Sequence, residues 1–190
     1  MTGFAKANTR IGYAQVEPNH MSGIVTGQIL AQLPVDIATM GSVIEQGRFA
    51  KYDYKTGKVN LTGKGEWMMI YNEEKLPDPR KTCHKDFAMV ANNYTDKEIV
   101  PRLISVLLGD IFTTNAINSK SKSLTAEDIS KITDTTEVSF TAPSVGTVLK
   151  IDTATGYLAE DGDDDTMEFE VVKVYNLADQ QPAVKVMRIK

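Results

Sequence analysis

The chain has 190 residues, 42% of them hydrophobic, with 25 acidic against 21 basic side chains and a net charge of −4. That size suits one domain or two small lobes, and the apolar content excludes wholesale disorder. The acidic balance argues against a general nucleic-acid binder, so no direct nucleic-acid contact is expected.

Residues 1–28 are polar and hold no sustained period. Lys6 and Arg10 face only Glu17 there, and Pro18-Asn19 reads as a turn. An extended N-terminal arm is expected, either frayed or ordered against a partner. The first β lobe is placed at 29–118. It opens on the apolar run Ile29 to Val35, which Pro34 marks as a strand edge or strand end. Ser42 to Gln46, between Gly41 and Gly47, reads as turn, strand, turn.

Gly47 to Gly57 then reads as a strand entering a Thr-Gly turn, and Val59 to Thr62 as the return strand. Glu66 to Tyr71 is an aromatic and apolar strand expected to be buried on both sides. Residues 72–85 form a long polar loop with two prolines and a mixed charge run that includes Arg80 and Lys81. Loops of that length inside compact domains are often functional. Two β-rich runs flank Gly109-Asp110, a turn or a bulge. Residues 119–136 read as a connector holding one short helix near 124–132. Residues 137–190 have strand-spaced valines, isoleucines and aromatics and are assigned to a second β lobe.

One pattern occurs twice. Gly47, Lys51, Asp53, Thr56 and Gly57 match Gly146, Lys150, Asp152, Thr155 and Gly156 at an offset of 99. Met68 and Met167 share that offset. Tyr71-Asn72 and Tyr175-Asn176 differ by 104, consistent with about five extra residues in the second copy, naturally placed in the acidic loop 160–165. A true duplication and a chance recurrence of good turn chemistry both fit.

Few residues carry recognisable chemistry. Carboxylates at alternating positions can bind calcium, which makes Asp161, Asp163 and Asp165 candidates for a weak divalent site; a solvated hairpin tip is the plainer reading. Cys83 is the only cysteine, so no disulfide forms within the chain. Cys83 and His84 are adjacent, and in a strand they point to opposite faces. A nucleophilic Cys83 would need His20. Phosphate-loop, dinucleotide-binding and nucleophile-elbow motifs do not occur. No enzymatic activity and no cofactor are expected. Trp67 with Tyr52, Tyr54 and Tyr71 reads as core or as an aromatic binding face. No apolar run approaches a membrane span or a signal peptide, so a soluble protein made in a cytoplasm is expected.

The irregular arm, the paired β lobes with Gly-rich hairpins and the lack of catalytic motifs resemble, in overall style, the accessory head proteins of tailed bacteriophages. That resemblance implies a non-enzymatic virion structural protein of the decoration, cement or head-fibre class. It implies a place on the capsid surface, after synthesis in the host cytoplasm. The implied partners are the major capsid protein or neighbouring virion subunits, with further copies of the chain on the shell. The arm and the 72–85 loop are then the contact elements, with Lys6, Arg10, Tyr13, Arg80 and Lys81 as partner-binding candidates. A tail or connector β-barrel ring and a carbohydrate-binding module are the alternatives. The expected fold is mainly β, with small barrel or sandwich lobes.

Overall fold

The computed structural model describes residues 12–73, 84–90, 98–118, 143–179 and 181–190. In chain order the elements are β1 (Val16–His20), α1 (Ser22–Val25), β2 (Ile29–Leu30), α2 (Ile37–Met40), β3 (Val43–Ile44), β4 (Phe49–Asp53) and β5 (Lys58–Asn60). They continue with β6 (Met68–Ile70), β7 (Met89–Val90), β8 (Leu103–Ile104), β9 (Ile111–Thr114), β10 (Val148–Ile151), β11 (Leu158–Ala159), β12 (Glu168–Asn176) and β13 (Pro182–Arg188). The protein is mainly β, as its alternating apolar pattern requires. The helix expected near 124–132 lies outside the described residues. The helices that are described have four residues each; one follows β1, in the expected arm, and the other follows β2.

The strands form antiparallel sheets. One has the order β2-β8-β6-β4-β5 and the other β1-β9-β13-β12-β10-β11; β3 and β7 pair separately. Apart from β1, the two large sheets repeat one topology. In each, the first strand pairs with the last, the last with the fourth, the fourth with the second, and the second with the third. The registers agree as well. Ile29 faces Ile104, and 82 residues on Ile111 faces Met187; Ile104 faces Met69 as Met187 faces Glu170. Phe49 faces Met69 as Val148 faces Glu170. Single parallel bridges also correspond: Val35 with Val59, and Ile117 with Leu158. They bend each sheet on itself, but among the described residues no continuous ladder closes a barrel. The sheets are sandwich-like.

The two halves are therefore one design used twice. The matching offset is 82 at the first strand, 99 at the hairpin and 101 at the fourth strand (Met69 to Glu170). The acidic loop thus holds two extra residues, not about five, and the sequence matches Met68–Met167 and Tyr71–Tyr175 are coincidental. Met68 corresponds instead to Phe169.

Local chemistry explains why the hairpins match. The Asp53 carboxylate accepts hydrogen bonds from the Lys55 N–H (3.0 Å) and the Thr56 hydroxyl (2.9 Å). Asp152 accepts from the Ala154 N–H (3.1 Å) and the Thr155 hydroxyl (2.7 Å). Each turn ends on a glycine with positive φ, 69° at Gly57 and 77° at Gly156, and its N–H returns to the aspartate carbonyl. The Thr56 hydroxyl and the other donors hold the Asp53 carboxyl below its ordinary range.

One apolar core joins the halves. Phe49 packs tilted on Phe169 with ring centroids 5.3 Å apart, and Phe169 meets Phe112 edge-on at 5.8 Å. Each such pair adds about 1 kcal/mol beyond its buried area. Backbone also crosses the junction: the Phe49 N–H donates to the Gly156 carbonyl at 2.6 Å. Arg48, buried beside it, donates through Nε and Nη2 to the Thr155 carbonyl (3.1 and 2.9 Å) and through Nη1 to the Met40 carbonyl (2.9 Å). Its guanidinium lies 5.2 Å from the Tyr157 ring centroid. A lysine ammonium cannot span these carbonyls with one rigid fork. Arg48→Lys is expected to lower the unfolding free energy by about 2 kcal/mol, read from the urea midpoint.

Two further expectations change. The arm does not extend free to residue 28: β1 pairs with β9, and Pro18-Asn19 is a register shift in an edge strand instead of a turn. Ala14, Gln15 and Val16 are buried, which fixes this stretch to the body. The sheets also part between β8 and β9, at the Gly109-Asp110 turn, so β9 of the expected first lobe lies in the second sheet.

Candidate interaction surface

Several of the residues singled out for chemistry are engaged in building the fold. In the acidic loop, Asp163 accepts from the Thr153 N–H (2.8 Å) and hydroxyl (2.9 Å). Asp165 pairs with Lys150 at 2.7 Å, which lowers the pKa of the first and raises that of the second. Asp161 is exposed. Among the described residues no group of three or more His, Cys, Asp or Glu is disposed to hold a metal ion.

Asp164, which the sequence reading passed over, does more. It is 7% exposed and accepts from the Trp67 indole N–H (2.9 Å), the Thr166 hydroxyl (2.7 Å), and the N–H groups of Thr166 and Met167 (both 3.0 Å). Its only advance signal was membership of the acidic run. Trp67 is 1% exposed, with the Lys51 ammonium 4.4 Å from its ring centroid. Tyr52 is buried, and its hydroxyl accepts from the Gln32 N–H at 3.0 Å. The aromatic face proposed for sugars therefore lacks its tryptophan platform; Tyr54 alone of these rings is strongly exposed.

Of the partner-binding candidates, Tyr13 is half-buried where the chain enters the body, and its N–H donates to the Lys85 carbonyl at 2.8 Å. Lys6, Arg10, Arg80 and Lys81 lie outside the described residues, as does Cys83. His20 ends β1, and His84 begins a 3₁₀ turn (His84–Asp86); both are exposed.

Comparing the halves exposes two features that sequence reasoning missed. The β12–β13 ribbon runs nine and seven residues, against three and two for its counterparts β6 and β8. On its extension the Tyr175 ring lies 5.3 Å from the Lys173 ammonium and 5.9 Å from that of Lys185. The Tyr175 hydroxyl meets the Thr113 hydroxyl, with the Glu17 carboxylate 3.5 Å away. This makes a charged outer face across four strands.

The other feature is an edge. β1 lies along β9, pairing Glu17 with Thr113 and His20 with Ile111. The equivalent first strand, β2, has no strand on its outer side among the described residues. The Pro34 edge signal had pointed there, but only the repeat shows that its counterpart is occupied. The chain matches no family model, no curated protein and no solved structure.

Proposed function

We propose that the protein is a non-enzymatic structural component of a virion that binds and stabilises a tailed-phage capsid as a decoration, cement or minor capsid protein. The observation that carries this reading is the repeated five-stranded sheet fused through a single core. Such a body resists deformation and presents sheet edges and loops at fixed spacing. The buried polar side chains Arg48, Asp152 and Asp164 serve turns and junctions, which suits a scaffold. The resemblance in style to accessory head proteins supplies the partner.

The mechanism is mass action. A protein that binds only the assembled lattice stabilises it by its binding free energy, and many copies add their contributions. The test mixes the purified protein with expanded and unexpanded shells of candidate tailed phages, followed by sedimentation and electron microscopy. Density at fixed capsomer positions on expanded shells, with a raised shell-disruption temperature, is expected. Failure to sediment with any shell overturns the reading.

A further inference from the structure

The repeat contains two equivalent first-strand edges and, among the described residues, one strand to cover them. Ile111 and Thr113 of β9 pair with β1. Their equivalents, 82 residues earlier, are Ile29 and Ala31. The Ser105 N–H donates to the Gln28 carbonyl, so strand alternation turns the polar groups of Ile29 and Ala31 outward. The Ile29 N–H is taken by the Gly27 carbonyl at 2.8 Å. The Ile29 carbonyl and both backbone groups of Ala31 have no hydrogen-bond partner among the described residues. Ala31 and Gln32 are exposed, and Val25, just upstream, is 84% exposed. A bare edge of this kind accepts an added strand.

We propose that this edge receives residues 4–11 of a second copy of the chain as an added antiparallel strand. The strand that fills the equivalent edge, β1, comes from the same N-terminal stretch, four residues further on. In extended form Ala5, Ala7, Thr9 and Ile11 share one face, with Lys6 and Arg10 on the other. Charge favours the match. Residues 1–11 carry +2 and the whole chain −4, so the rest carries −6. From Gly12, eleven extended residues reach about 36 Å, enough to cross to a neighbour. Reciprocal exchange of two such segments closes a two-fold dimer with two identical junctions. The inference is independent of the shell reading, because the dimer forms in solution without a shell.

The test uses full-length protein in sedimentation equilibrium over a range of concentrations. Ala31→Pro removes the outward N–H, which has no partner among the described residues. Ala7→Pro blocks the donated segment. Each variant alone is expected to associate at least about tenfold more weakly than the unmodified chain. A mixture of the two is expected to recover a 1:1 species, since one supplies the segment and the other the edge. If Ala31→Pro fails to fold, Ala31→Lys keeps the exposed backbone and repels the basic segment. Hydrogen exchange at Ala31 is expected to slow on association. A chain that stays monomeric at every concentration overturns the proposal. So does association unchanged in both variants, or protection of Ala31 that survives dilution to monomer, which would place the segment on its own chain.

Discussion

Gly156→Ala is expected to destabilise the protein by at least about 3 kcal/mol, while Gly57→Ala, at the equivalent turn position, costs about 1 kcal/mol. Both glycines hold positive φ, 77° and 69°, so both substitutions place a β-carbon in the left-handed region. They differ in what surrounds them. A β-carbon on Gly57 meets nothing within 4 Å. On Gly156 it runs into the Phe49 carbonyl and touches Leu61 at 3.1 Å. Relief requires the second hairpin to move off β4, which stretches the Phe49–Gly156 hydrogen bond and the Arg48 contacts to the Thr155 carbonyl. Urea unfolding of both variants checks this. Equal losses would show that the junction does not press on this turn.

Asp164→Ala carries the second large expected effect, a loss of about 3–4 kcal/mol. It strands the buried Trp67 indole N–H and frees three donors of the turn at Thr166 and Met167. Trp67 is the only tryptophan, so its fluorescence reports the change directly. The same carboxylate makes stability depend on pH. Burial alone would raise the Asp164 pKa, but donation from Thr166, Trp67 and Met167 outweighs it and the folded value lies below the ordinary 3.8. Its stabilisation is complete above the unfolded value and is lost as pH falls through the folded one. Unfolding free energy is therefore expected to fall between about pH 5 and pH 2, and less steeply in Asp164→Ala. Asp53, Asp165 and Asp179, also lowered, leave a residual slope in the variant. An unchanged slope would remove Asp164 from the acid response.

The legible parts of this fold are those written over a few residues. Asp53 and Asp152 bind donors two and three positions on, so the hairpins could be read directly. The buried strand at Met68–Ile70 was equally plain, because every residue in it is apolar. The candidate surface was less legible. Ile29 and Ala31 look unremarkable until β1 is seen on the equivalent edge. The burial of Trp67 was legible in the apolar run Glu66 to Tyr71, but its partners were not: the Lys51 ammonium lies over its ring and its N–H donates to Asp164, 97 residues away.

The amino-acid sequence by itself determined that this is a β protein built on two matching Asp-x-x-Thr-Gly hairpins, because side-chain alternation and turn chemistry act within a few bonds. Only the tertiary structure decided that the match extends to whole sheets, that β1 and β9 belong to the second of them, and that one first-strand edge carries no strand among the described residues. Strand partners are chosen by hydrogen-bond ladders and shared apolar faces between segments up to about a hundred residues apart, such as Gln15 and Asn115. No local pattern specifies which of several compatible edges will meet.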